Sequence, residues 1–478
     1  VPLVAGVDCS TQSTKVVVVD ADTGVVVAEG RAPHEVEGTG GARETHPSVW
    51  WSALAQAMSQ TGRAGEIGAI SVAGQQHGMV VLGGDGRPLR PAPLWNDTRS
   101  APDAAYLRDL LGGSAVWAER IGLVPVASFT VTKWAWLRRT EPEVAFATRA
   151  IRLPHDYLTG MLTGRGATDR GDASGTGWWS TATETYEPSV MDAVGLQPGL
   201  LPEVLGPDHP AGEVTVGAAA ELGIPVGIPV GPGTGDNMGA ALGLGLRPGV
   251  PVLSLGTSGT AYTVSTLRAA DPSGTVAGFA DASGRFLPLA ATLNCTLAVD
   301  RVASWLGIDR EAAAERTEVV MLPYLDGERT PNLPAAAGTI TGLRHATEPE
   351  EILLAAYQGA VVSLLDALDH IDRNSSGIDP DAPLVLIGGG ARGRTWRRVV
   401  GSLSGRSVQV PEAEELVALG AAAQAAAART GRSADQLVQG WATRRGEETG
   451  PVETDLAALE RIRRVRELTA ALNGRVTS

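Results

Sequence analysis

The sequence carries only two cysteines, Cys9 and Cys295, in 478 residues. Two thiols cannot build a disulfide framework and show no metal-ligand spacing, so a reducing cytoplasm is the expected setting. Lysine is as scarce: Lys15 and Lys133 are the only two among 39 basic residues. Neither lies in a G-x-x-x-x-G-K-[ST] run, which excludes a P-loop. The dinucleotide fingerprint is missing too, because Gly233-x-Gly235 is followed by Gly239, one position too far. No run reaches the ~18 uncharged apolar residues of a membrane span. The Ala-rich run Ala418–Ala428 is shorter and reads as a buried helix. The opening Val1-Pro-Leu-Val has no basic segment, so no signal peptide is read there. Positive charge is in deficit, with a formal net charge of -14. That balance argues against nucleic acid and anionic membranes as partners. It also means that any grip on phosphate must come from backbone N–H groups, hydroxyls and a bound cation.

What the chain does have is a repeated turn. Gly6-Val-Asp-Cys-Ser-Thr-Gln-Ser-Thr-Lys15 runs into Val16-Val-Val-Val-Asp20, and Leu253-Ser-Leu-Gly-Thr-Ser-Gly-Thr260 runs into Ala261-Tyr-Thr-Val-Ser265. Each reads as an apolar strand, a tight Gly/Ser/Thr turn and a second strand. Such turns are common in hairpins, but they can also aim several N–H groups at one anion. One copy near the start of each half predicts two similar lobes gripping a polyphosphate.

The surrounding pattern predicts an α/β protein with largely covered sheets. Strands are expected at Leu3–Val7, Lys15–Asp20, Val25–Ala28 and Ile67–Ala73, with a helix near Ser48–Met58. The second half repeats the order with strands at Val252–Leu255 and Ala261–Ser265. A long helix at Pro349–Ile371 follows, with Leu353, Ala356, Ala360, Leu364 and Leu368 at helical spacing. Strands Pro383–Ile387 and Val408–Val410 and helices near Arg394–Leu403 and Glu412–Ala428 complete the second lobe. The boundary is expected near Gly245–Pro251, giving segments 1–246 and 247–478. The last ~45 residues read as charged surface helix with no assigned chemistry.

Four places carry chemistry. Asp236 follows a strand and a run of glycines and opens a small-residue helix, where open α/β sheets build their sites. A carboxylate there can take a proton from an attacking alcohol; taken alone, the stretch fits a helix N-cap equally well. Asp8 ends the first strand and is placed to organise Mg²⁺ beside phosphates, or to make a turn contact. Gln75, Gln76 and His77, with Asn96, Asp97 and Arg99 in Leu94-Trp-Asn-Asp-Thr-Arg99, form a dense polar set suited to a polyol. Gly388-Gly-Gly-Ala-Arg392 leaves room for a flat purine ring against the backbone.

In their order along the whole chain these motifs resemble those of the FGGY-family carbohydrate kinases, and the sugar motif resembles that of the family's xylulokinase members. Gly6–Lys15 resembles the first phosphate motif, Gly74-Gln-Gln-His-Gly78 with Leu94–Asp97 the sugar motif, and Gly235-Asp-Asn237 the catalytic-base motif. Leu153–Leu158 and Thr168–Gly175 resemble the family's middle signature. Ser254–Gly259 resembles the second phosphate motif, and Gly388–Arg392 with Ala418-Leu-Gly-Ala421 the adenosine motif. The resemblance implies two ribonuclease-H-like lobes of the actin/Hsp70 type with a central cleft. It implies ATP and Mg²⁺ as cofactors and transfer of the γ-phosphate to the 5-hydroxyl of D-xylulose in pentose catabolism.

Carried over residue by residue, Asp236 is the expected base and Asp8 the aspartate that organises Mg²⁺-ATP, with both as metal ligands. Gln76, His77, Trp95, Asn96, Asp97, Asp236 and Asn237 are expected to bind sugar. Ser10, Thr11, Gln12, Ser13, Gly256, Thr257, Ser258, Gly259, Gly389, Gly390 and Ala391 are expected to bind nucleotide. The family pattern has Met where Gln76 stands, which bears on which pentulose is preferred. A small-molecule sugar and ATP are the partners implied, and a homodimer is allowed for. Two other readings stand beside this one: a kinase for ribulose, ribitol or glycerol, and an actin- or Hsp70-like ATP switch that binds a protein. Only the kinases need the carboxylate and the sugar-type cluster together.

Overall fold

The strand Leu3–Cys9 is buried along its whole length, as an uninterrupted apolar run in a sheet covered on both faces should be. It pairs antiparallel with Ser13–Asp20, which pairs antiparallel with Val26–Pro33. On its other side it runs parallel to Ile67–Gly74. Pro229–Val230 and Thr234–Gly235 both add in parallel to Ile67–Gly74, and Gly212–Glu213 closes the edge antiparallel. The helix Pro47–Gln60 lies between the third strand and Ile67–Gly74 in sequence. Pro47 occupies its first turn, the His46 side chain accepts from the Ser48 N–H, and Trp50, Leu54, Ala57 and Met58 make its buried stripe.

The computed structural model describes residues 2–473. Within them the chain forms two compact units: residues up to 246 with 267–287 and 413–443, and residues 247–266 with 288–412 and the chain from 444 on. The second unit has its own mixed sheet, ordered Phe286–Thr292, Gly259–Tyr262, Val252–Leu255, Leu384–Ile387, Val408–Pro411 and Gly446–Thr449. The first three strands are antiparallel, and Val252–Leu255 is parallel to Leu384–Ile387. The two sheets therefore repeat one plan, a hairpin and third antiparallel strand with a parallel strand on the far side, as a ribonuclease-H-like duplication requires. Helix Pro349–Arg373 precedes the parallel strand of the second unit, with all five predicted stripe residues buried. It is long and apolar enough to cross a membrane, but 83% of its apolar window is buried inside the protein.

Two expectations need correction. The chain does not divide into consecutive halves, because helix Leu416–Thr430 packs on Leu3–Cys9 and Ile67–Gly74 in the first unit. Its alanines let the helix backbone approach closely: a Cβ on Gly6 would lie 1.9 Å from the Ala418 carbonyl oxygen. Gly6 and Ala418–Ala421 are thus packing surfaces. The terminal segment is also more than surface helix. Gly446–Thr449 pairs with Val408–Pro411, and in helix Leu456–Asn473 Arg463 and Arg466 both pair with Asp366.

The region between Ile67–Gly74 and Pro229–Val230 holds short helices, including Thr130–Thr140, Pro154–Thr163 and Arg170–Ser174, and two-stranded pairings such as Val80–Leu82 with Ala150–Arg152. These elements surround the sugar-type cluster described next.

Candidate active site

Three strand ends line up in the first unit. Cys9 is in register with Gly74, and Gly74 with Gly235. At ordinary strand spacing Cys9 and Gly235 are about 10 Å apart, so Asp8 and Asp236 come to one end of one sheet. The same arrangement makes helix Asp236–Gly243 begin at Asp236. Asn237 donates to Asp236 Oδ1 twice, from its backbone N–H at 2.8 Å and from Nδ2 at 2.9 Å. Burial first, then the charge of Asp8, push the Asp236 carboxyl up to about 7, against the pull of Asn237. A carboxyl group poised near neutrality suits proton abstraction from an alcohol. The structure does not make Asp236 the helix cap: Gly235 holds the N-cap position and Asp236 is the first helical residue.

Asp8 is 3% exposed. Its Oδ2 accepts from Ser10 Oγ at 2.7 Å and lies 3.7 Å from Lys15 Nζ, which is also 2.7 Å from Glu415. Its Oδ1 is buried without a hydrogen-bond partner among the described residues. Burial raises its pKa, against the pull of Lys15. Of the first turn, Ser10 and Thr11 are half-buried, Gln12 is exposed and Ser13 is buried in the strand. The Ser10 N–H closes the turn on the Ser13 carbonyl at 3.0 Å.

The sugar-type loop meets this turn directly. Trp95 Nε1 donates to Thr11 Oγ1 at 3.1 Å, so two motifs more than eighty residues apart share a hydrogen bond. Both amide atoms of Gln75, Gln76 Nε2 and Asn96 Oδ1 are buried without partners among the described residues. Buried polar groups are normally paired, so these atoms are open to polar partners such as water or a hydroxylated ligand. His77 holds a left-handed backbone, with φ of 68°, a conformation uncommon outside glycine. Its Nδ1 donates to the Gly175 carbonyl at 3.0 Å, and its ring lies 5.0 Å from Phe129 and 5.6 Å from Phe279. Asp97, an expected sugar ligand, is engaged within the protein on both oxygens. Its Oδ1 accepts from the backbone N–H of Arg99 and its Oδ2 from that of Arg43, the Arg99 guanidinium clasps both oxygens, and its pKa is lowered chiefly by Arg99 against burial. Its work is to hold the loop. Arg99 in turn pairs with Glu44 and stacks 4.3 Å from the Trp136 ring.

In the second unit, Leu255 and Gly259 flank the second turn, whose Gly256 N–H bonds the Ser258 carbonyl at 3.1 Å. Thr257 is exposed and Ser258 half-buried. Gly388, with φ of 84°, brings the backbone so close that an added Cβ would meet the Leu255 carbonyl oxygen at 2.9 Å. A Cβ on Gly390 would meet Leu255 and Thr296. The adenosine-type turn therefore rests on the second phosphate-type turn, leaving Gly389 exposed with open space beside it and Ala391 buried.

The N-terminal domain model of the FGGY family of carbohydrate kinases matches residues 3–243, and its C-terminal domain model matches residues 252–429. The chain belongs to the FGGY family of carbohydrate kinases. Xylulose kinases of Streptomyces coelicolor and Streptomyces rubiginosus are similar to it, at 60% identity over 96% of this chain and 95% of that protein, and 58% over 100% and 98%. The crystal structure of xylulose kinase from Bifidobacterium adolescentis shares 37% identity and a TM-score of 0.85 over 97% of this chain and 99% of that one.

This FGGY kinase also has a buried ionic cluster that the sequence motifs did not single out by role. His155 Nδ1 is 2.7 Å from Asp172 Oδ2, and its Nε2 is 3.2 Å from Asp156 Oδ1. Burial would depress the imidazole, but the flanking carboxylates hold it protonated, at about 9. Asp169 accepts from Thr234 Oγ1 at 2.8 Å, two residues before Asp236. Gln424, fully buried, donates to the Gly233 carbonyl at 2.9 Å and accepts from Ser71. The loop carrying Asp236 is thus pinned from two sides. A lone glutamine inside an alanine run was the available sign, since a buried amide must find partners.

Proposed function

We propose that this FGGY kinase transfers the γ-phosphoryl group of ATP to the 5-hydroxyl of D-xylulose. The observation that carries the reading is the Asp236 carboxyl. It is held by Asn237 through one oxygen, raised to about 7, and set at the same sheet end as Asp8. The pentulose is bound by Gln76, His77, Asn96 and Gln75, of which both Gln75 amide atoms, Gln76 Nε2 and Asn96 Oδ1 are buried without partners among the described residues, and Trp95 fixes the sugar loop against the first phosphate turn. Asp236 Oδ2 accepts the proton of the attacking hydroxyl while Oδ1 stays on Asn237. Phosphoryl transfer is mostly positioning and charge neutralisation. Each unit carries its own candidate nucleotide-binding turns: Ser10, Thr11, Gln12 and Ser13 in the first, and Gly256, Thr257, Ser258 and Gly259 with Gly389, Gly390 and Ala391 in the second.

The donor set fits Mg²⁺. Asp8 offers a buried oxygen with no partner, and Asp8 and Asp236 supply the oxygen ligands that a hard cation prefers. When bound, the ion would neutralise charge developing on the phosphates. Lysine could not do this here, because Lys15 is already engaged with Glu415 and Asp8.

The test is ADP release from ATP and Mg²⁺ across D-xylulose, D-ribulose, L-ribulose, ribitol and glycerol. D-xylulose should give the highest kcat/KM. A higher value for another member of the panel would move the assignment to that sugar.

A further inference from the structure

Gln76 stands where the family pattern has methionine, and the structure shows an amide there with two different occupations. Its Oε1 accepts from Asn237 Nδ2 at 3.0 Å. The same Nδ2 donates to Asp236 Oδ1 at 2.9 Å, so a continuous chain runs from Gln76 through Asn237 to Asp236. Its Nε2 is buried without a partner among the described residues.

Gly235 shows how closely this link is built. Its backbone has φ -67° and ψ 155°, which any residue adopts. Glycine is therefore not needed there for the backbone. It is needed for room: a Cβ on Gly235 would lie 2.6 Å from Gln76 Cγ and 2.8 Å from Gln76 Cδ. The glycine before Asp236 makes space for the Gln76 side chain to reach Asn237.

We infer that Gln76 is a positioning residue for Asp236, acting through Asn237, in addition to any contact it makes with the sugar. Asn237 has one carboxamide to place, and it could turn either face toward Asp236. The Gln76 carbonyl oxygen can only accept, so of the two Asn237 amide atoms only Nδ2 can face it, which fixes the carboxamide with Nδ2 between Gln76 and Asp236. That keeps Asp236 Oδ1 occupied by two donors and turns Oδ2 to the acceptor hydroxyl. A methionine at 76 fills the same volume and accepts no such bond, leaving Asn237 free to rotate. The inference rests on the assignment of Asp236 as the base.

The experiment uses the full chain and two reactions of one site: sugar phosphorylation, and ATP hydrolysis without sugar, in which water takes the place of the hydroxyl. Gln76→Met should lower kcat for D-xylulose about two- to tenfold, the effect of one neutral hydrogen bond. It should lower sugar-free hydrolysis by the same factor, although no sugar is present to be contacted. In an Asn237→Ser background, Gln76→Met should have no further effect on hydrolysis. A rise in sugar KM with unchanged sugar-free hydrolysis overturns the inference, as does independent multiplication of the two effects in the double variant. If Gln76→Met fails to fold, Asn237→Ser alone reports the link, and unchanged hydrolysis in it also overturns the inference. Failure of the D-xylulose assignment is separable, since it would appear as wild-type inactivity with that sugar while the hydrolysis comparison still reads out.

Discussion

Replacing Asp236 with asparagine should stabilise the protein while abolishing its chemistry, and the stabilisation should depend on pH. The folded carboxyl stands at about 7 against an ordinary 3.8; at about 1.4 kcal/mol for each pH unit, an ionised Asp236 costs the fold up to about 4 kcal/mol. Its side chain is only half-buried, and solvent screening reduces that figure to about 2 kcal/mol. The sign follows from the raised folded-state value. The cost is complete above about 7, declines as pH falls towards 3.8, and is absent below that. By about pH 5 less than half of it remains. Asparagine keeps the shape and an amide oxygen for the two Asn237 donors. Denaturant unfolding of both proteins at about pH 8 and about pH 5 gives the comparison. Asp236→Asn should be the more stable at the higher pH, with a smaller gap at the lower. A less stable variant at the higher pH, or a gap that does not change with pH, would refute the electrostatic account of this carboxyl. In the same preparations phosphorylation should fall at least about a hundredfold, the usual worth of a general base.

Three further outcomes follow from particular contacts. His77→Ala should raise the D-xylulose KM about five- to hundredfold, because a sugar hydroxyl loses its partner, while the ATP KM stays within twofold or so; the opposite pattern would put the sugar loop in the wrong place. His155→Leu should cost about 3–5 kcal/mol of unfolding free energy, because Asp156 and Asp172 are left buried without their cation, and a loss under about 1 kcal/mol would remove the ionic reading of the cluster. Gly6→Val should lose at least about 3 kcal/mol or fail to accumulate as folded protein, since its Cβ would fall 1.9 Å from the Ala418 carbonyl oxygen; near-native stability would contradict the close packing of that helix.

Much of the site could be read before any coordinates, and the reasons are local. The turn at Ser10–Ser13, the glycines around Asp236 and the Gln75–His77 loop carry their chemistry in consecutive residues, so sequence spacing and spatial proximity nearly coincide. The duplicated sheet was legible for the same reason, because each copy opens with an apolar strand, a small-residue turn and a second strand. The placement of helix Leu416–Thr430 was not. Eleven of its residues are buried, and a helix apolar nearly all round has no single face to indicate which sheet it packs on. The role of Asp97 was hidden in the partners of its carboxylate, since Arg43 lies 54 residues away. The His155–Asp172 pair was likewise hidden, because a separation of 17 in sequence crosses from one helix to another. Polar residue types pointed to a candidate polyol site; only the hydrogen bonds separated the buried groups without partners among the described residues from those spent on holding the loop.

The most direct measurement is phosphorus NMR of the product formed from ATP, Mg²⁺ and D-xylulose. The account predicts a phosphate monoester whose phosphorus is split into a triplet by two methylene protons that couple onward to a neighbouring methine proton, as on the 5-hydroxyl and not on the 1-hydroxyl beside the ketone, and its absence with Asp236→Asn. A doublet from a secondary hydroxyl, inorganic phosphate alone, or the same ester formed at wild-type rate by Asp236→Asn would contradict it.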